Sequence, residues 1–190
     1  MWTLISIISA APLQYDLIER QRDCSFFTGP VQESGSLPIR AECHWKDISL
    51  KTMDLFLDDY EGQTETYSSV AETKILQRLN DITLVYQVHK DKRMSPREGT
   101  IEYTKINYGQ RIVHTYKLSE FQAPPKLKHV ILKEHQGIWS IEKHPDGGIK
   151  CIYESTYLPG GSIPAWLVRQ FQVLEVMRLI EETRSSVSKL

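Results

Sequence analysis

The chain has 190 residues, 41% of them hydrophobic and 25% charged, with a formal net charge of −1. At roughly 100–200 residues per domain this is one domain, 1–190, long enough to bury a core or enclose a cavity. Near-neutral charge removes the case for dedicated nucleic-acid binding, which needs clustered cations. Ten glycines and nine prolines exclude collagen-like and low-complexity classes.

Read in chain order, the opening Met1–Pro12 stretch is apolar and ends in small residues, but lacks the basic start of a secretory signal. It reads as a packed N-terminal helix, with a processing remnant as the alternative. No apolar run reaches the ~18–20 residues needed to span a bilayer. Cys24, Cys43 and Cys151 form neither a disulfide framework nor a zinc pattern. They fit buried thiols in a reducing compartment, with one disulfide left open. A cytoplasmic location is favoured on this ground; a periplasmic or secreted one follows if the N-terminus is a remnant.

Tyr15-Asp16-Leu17-Ile18-Glu19 reads as a short strand before a turn-rich run, and Ile39–Trp45 alternates with period two. Ser49 caps a short helix carrying Met53, Leu55, Phe56 and Leu57. Residues 70–79 and 82–88 read as paired strands around an Asn80-Asp81 turn, with Ile82, Leu84, Tyr86 and Val88 on one apolar face. A basic loop, 90–96, follows. Strands at 100–106 and 111–118 flank Asn107-Tyr108-Gly109-Gln110, and strands at 129–143 and 148–157 flank Pro145-Asp146-Gly147. Successive hairpins make an antiparallel meander.

After Pro159-Gly160-Gly161 the pattern becomes helical, over 163–188, with Leu167, Phe171, Leu174, Met177 and Ile180 at three- and four-residue steps. At 1.5 Å per residue such a helix is on the order of 40 Å long, enough to cross a curved sheet. The expectation is an α+β architecture in which side chains or a ligand fill the space between helix and sheet.

Three segments resemble the START (steroidogenic acute regulatory protein-related lipid transfer) family of the helix-grip superfamily. They are the paired strands 70–79 and 81–88, the Ser95-Pro96-Arg97-Glu98 step, and Leu158-Pro159-Gly160-Gly161-Ser162-Ile163-Pro164-Ala165-Trp166-Leu167-Val168 opening the last helix. The segments occur in the family's order over essentially the whole chain. Glu98 stands where the family usually has Asp, and Glu65-Thr66-Tyr67 where a Trp commonly follows the first helix. The resemblance implies a curved antiparallel sheet wrapped around a long C-terminal helix, with a lipid such as a sterol or phospholipid in a tunnel under that helix. It further implies non-covalent transfer between membranes, without catalysis or cofactor.

On that reading Glu72 and Arg97 resemble a buried acid–base pair lining the cavity, where unpaired charges would be costly. Tyr86, His114, Tyr116, Cys151 and Tyr153 are candidate strand contacts to the ligand, with Tyr103 and Trp139 as further candidates. Leu167, Phe171 and Leu174 are the helix contacts. Lys92, Arg93 and Met94 form a basic loop with an apolar tip suited to transient membrane contact. Gly160-Gly161 is the candidate hinge. No G-x-S-x-G, phosphate-binding glycine motif or H-E-x-x-H occurs, and the six histidines are scattered. The rival reading is a helix-grip cyclase or dehydratase using His114, Tyr116 and Glu72 as acids and bases. A third is a lipid-sensing module.

Overall fold

The computed structural model describes residues 14–92, 94–122 and 125–190; the reading of an N-terminal helix, and that of Arg93, fall outside these residues. Strands β1 (Asp16–Gln21), β2 (Cys24–Thr28) and β3 (Ile39–Trp45) come first. Two short helices follow, α1 (Leu50–Asp58) and α2 (Gln63–Thr66). Then come β4 (Val70–Leu79), β5 (Ile82–Asp91), β6 (Met94–Asn107), β7 (Arg111–Leu118), β8 (Val130–Ile131), β9 (Glu134–Lys143) and β10 (Ile149–Leu158). Helix α3 (Ala165–Val187) closes the chain.

The strands form one sheet in the order β1-β2-β3-β10-β9-β7-β6-β5-β4, with β8 parallel to β6. The expected hairpins are present, and the 90–96 loop shrinks to a turn because β5 runs to Asp91 and β6 starts at Met94. One strand, β2, went unread because its five residues, CSFFT, are too short to alternate convincingly. Helix α1 is capped as anticipated: the Ser49 hydroxyl accepts from the Thr52 N–H at 3.0 Å.

Strand pairing places side chains in rows on the concave face, because direct cross-strand partners share a face. One row is Phe26, Ala41, Tyr153, Trp139 and His114; the next is Ile39, Ser155, Gly137, Tyr116 and Tyr103. A third aligns Cys24, Cys43, Cys151, Ile141 and Ile112. Within it Cys24 and Cys43 are joined by a disulfide, so the reading of three thiols is corrected. Residues nineteen apart in sequence face each other only because a hairpin folds β2 onto β3. Cys151 alone remains a buried thiol.

Helix α3 lies over this face and completes the core with Val176, Ile180 and Val187. Its buried line is Val168, Gln172, Val176, Ile180, Thr183 and Val187. The apolar stripe read from the sequence is therefore corrected: Leu174 points outward and is 63% exposed. The true line was disguised by two polar members, each of which makes an internal hydrogen bond. Thr183 Oγ1 meets Tyr67 Oη at 3.1 Å, and Gln172 Nε2 donates to the Tyr157 carbonyl. No helix among the described residues is long and apolar enough to cross a membrane.

Candidate ligand cavity

Between α3 and the concave sheet face lies a cavity of about 400 Å³. From α3 it is lined by Leu167, Val168, Phe171, Gln172, Glu175, Val176 and Leu179; α1 adds Phe56 and Leu57. The sheet adds the row of Tyr103, Tyr116, Ser155 and Ile39, together with His114, Trp139 and Tyr153. Much of this surface is aromatic or aliphatic, with a few placed polar groups, the composition of a small-molecule site.

Of the expected ligand contacts, His114, Tyr116, Tyr153, Arg97, Leu167 and Phe171 border the cavity. The hydroxyls of Tyr116 and Tyr153 share a 2.7 Å hydrogen bond. Gly137 makes room for this pair, since a Cβ there would lie 2.4 Å from Tyr116 Oη and 2.3 Å from the Glu154 carbonyl oxygen. His114 Nε2 meets Asp54 Oδ1 at 2.9 Å, and burial holds its pKa down against the pull of Asp58 and Asp54. Asp54, Asp58 and His114 cluster as tightly as the ligands of a cation would. The Lys105 ammonium fills that role, 2.8 Å from Asp54 and 2.7 Å from Asp58.

Other expectations are corrected. Tyr86 and Glu72 lie on the opposite side of the sheet, because Gln87 and His89, not Tyr86, are the β5 residues that line the cavity. Glu72 is half-exposed and paired with Lys126 at 2.6 Å, so it makes no buried pair with Arg97. Tyr86 donates to Glu98 Oε2 at 2.7 Å. Glu98 also accepts from the Lys126 N–H at 2.8 Å and meets His129 Nδ1 at 2.5 Å. Burial pushes the Glu98 pKa up, but these three partners outweigh it and hold the carboxyl below its usual range. This cluster pins Lys126 and His129 to the outer sheet face. Cys151 sits in the core rather than at the cavity wall. Lys92 is exposed in the β5–β6 turn, whereas Met94 is half-buried and borders the cavity.

The residues missed by sequence reading are Gln87, His89, His135, Tyr157 and Gln172, which also line the cavity. His135 and Tyr157 are direct partners across the β9–β10 hairpin. Counting back from its turn, where Lys143 pairs with Ile149, would have found them. The His89 and His135 rings stand edge to face with centroids 5.0 Å apart, and Tyr157 lies 5.8 Å from His89 and 5.4 Å from His135. Burial pushes the His89 pKa down to about 4. Burial, and secondarily His89, pushes His135 well down too. Burial drives the phenols of Tyr103, Tyr116, Tyr153 and Tyr157 upward. At neutral pH the imidazoles and phenols of this wall are therefore uncharged.

Comparison with solved structures places this arrangement. The chain superposes on a STAR-related lipid transfer protein fragment from Xanthomonas axonopodis with a TM-score of 0.82 and 21% identity, covering 92% of this chain and 98% of that one. Against human STARD10 the TM-score is 0.83 at 18% identity, over 92% and 73% of the two chains. A weaker likeness, with a TM-score of 0.54 at 10% identity over 93% and 88%, is to a di-domain ARO/CYC from the steffimycin biosynthetic pathway. No family sequence model matches the chain. The curved ten-stranded sheet closed by a long C-terminal helix, and the agreement with these structures, establish that the chain has the helix-grip fold of START domains.

Proposed function

We propose that this chain binds one hydrophobic ligand, a lipid, without covalent chemistry and carries it between membranes. The observation that carries this reading is the cavity of about 400 Å³ enclosed by α3 and the sheet. It is at the small end of the ~300–1,000 Å³ common for ligand sites. That volume suits a single-chain or compact ring-shaped lipid better than one with two long chains. The likeness to a STAR-related lipid transfer protein from Xanthomonas axonopodis supports lipid handling as the general activity.

Entry requires α3 or the β5–β6 turn to move. Gly160 and Gly161, at φ +71° and +72°, precede α3 in a conformation that L side chains rarely adopt, and they form the hinge. Trp166 at the start of α3 is 56% exposed, and Lys92 is exposed beside the cavity-lining Met94. An amphipathic indole and a cation at the mouth are suited to an anionic bilayer surface. A variant with an engineered disulfide that joins α3 to the sheet and leaves Gly160 and Gly161 in place locks the helix. Oxidation of that variant should stop lipid exchange between vesicles and leave the fold intact. Exchange at the unmodified rate in the oxidised form would refute the gate.

A second reading, a cyclase or dehydratase, is favoured by one observation: the neutral imidazoles of His89 and His135 beside Tyr157 are groups able to move protons in a closed cavity. The trio expected for that chemistry does not converge, since Glu72 lies on the other side of the sheet. Turnover of an aromatic polyketide by the purified protein would establish this reading, and stable binding without turnover would exclude it.

A further inference from the structure

The polar end of the cavity contains buried hydrogen-bonding atoms with no partner. They are Arg97 Nε, His135 Nδ1 and Gln172 Oε1, and all three residues line the cavity. Arg97 is 5% exposed and Gln172 6%. Leaving such atoms unsatisfied costs about 1–3 kcal/mol each, so a ligand that completes them gains what the empty protein lacks.

Their chemistry is mixed in a way that narrows the ligand. Arg97 Nε–H is a fixed donor. Gln172 Oε1 is a fixed acceptor, because its amide nitrogen is committed to the Tyr157 carbonyl. His135 is a neutral imidazole, donor on one nitrogen and acceptor on the other. These residues belong to one neighbourhood. His89 pairs with Arg97 across β5–β6, His135 with Tyr157 across β9–β10, and the His89, His135 and Tyr157 rings are mutual neighbours. A group that both accepts and donates satisfies this set; one that can only accept leaves Gln172 Oε1 facing another lone pair.

Charge points the same way. Arg97 and Lys90 line this end, and so do the carboxylates of Asp91 and Glu175. Among the described residues these two cations and two anions sum to zero, and both carboxylates act on Tyr157 together with Arg97. A carboxylate or phosphate brought here would be a third negative charge in a desolvated site.

Building on the lipid-binding reading, we infer that Arg97, His135 and Gln172 form a recognition site for an uncharged hydroxyl group on an apolar ligand. The ligand class is then a long-chain or ring-bearing alcohol, not a fatty acid anion or a phospholipid. The hydroxyl oxygen accepts from Arg97 Nε–H, and its hydrogen goes to Gln172 Oε1 or to the acceptor nitrogen of His135.

The test is a matched series on one carbon skeleton: hexadecane, 1-hexadecanol and hexadecanoate at pH 7.5. Each displaces neutral N-phenyl-1-naphthylamine from the full chain, and native mass spectrometry counts the bound molecules. One well-made hydrogen bond is worth up to about tenfold in affinity, so the alcohol should bind about tenfold tighter than the alkane and tighter than the acid. Gln172→Met and, separately, His135→Phe should each bring the alcohol to within about threefold of the alkane measured on the same variant. Thermal melts verify that each variant is folded, and the Met variant preserves volume where Phe disturbs it. Hexadecanoate binding as tightly as the alcohol, or an alcohol preference that survives both variants, overturns the hydroxyl site but leaves the lipid-binding reading standing. Binding of none of the three overturns the lipid-binding reading and the site with it.

Discussion

Position 137 shows how one absent side chain sets the cavity wall. Tyr116 lies across the gap left by glycine and reaches Tyr153. Gly137→Ala puts a Cβ against a backbone carbonyl that has nowhere to go, an overpacking cost of about 1–3 kcal/mol. Urea denaturation should show a lowered midpoint at an unchanged slope. Titration at this scale gives a second expectation. His89 is held to about 4 when folded and returns to ~6.5 when unfolded. Between those values the unfolded chain binds more protons, so stability is complete above pH 6.5 and falls as pH drops toward 4. The loss approaches about 1.4 kcal/mol per pH unit for one such imidazole. Melting temperatures across pH 7 to 4 should fall less steeply for His89→Phe than for the parent, and equal slopes would show that His89 charges freely in the fold.

At the level of elements, the register of β5 and the face of α3 decide which residues meet the ligand. Alternation on β5 was legible, but which parity faced inward was not. Both parities carry buried residues, Val85 and Gln87 toward the cavity and Tyr86 and Val88 away from it. Tyr86 of the outward pair is tied through Glu98 to Lys126, a tertiary contact that local periodicity does not encode. On α3, the boundaries and the entry glycines were legible; the face slipped because Gln172 and Thr183 occupy its buried line. The corrected face predicts a contrast: Phe171→Trp fills the cavity and should lower ligand uptake at least tenfold, whereas Leu174→Trp, on the exposed face, should leave it unchanged. Fluorescent-ligand titration of the two variants decides it, and equal effects would contradict the helix rotation described. The β2–β3 staple yields another expectation. A disulfide closing a loop near 20 residues stabilises by about 3 kcal/mol, so reduction of Cys24–Cys43 should lower the melting temperature, and Cys24→Ser with Cys43→Ser should do the same without reductant.

Across the whole molecule, hairpin succession and a final long helix were enough to read an α+β architecture, because each turn signal sat between strands of the right length, and the resemblance carried by 70–88, 95–98 and 158–168 implied the helix-grip arrangement. The polar end of the cavity was not readable in the same way. His89, Arg97, His135, Tyr157 and Gln172 come from four strands and a helix that only the closed sheet brings together. The most direct test of the lipid-carrier account is native mass spectrometry of the purified protein, with extraction and identification of what it retains and a second measurement after incubation with liposomes. The account predicts one apolar ligand per chain, either retained or taken up from the vesicles. A protein that stays empty in both measurements would contradict it.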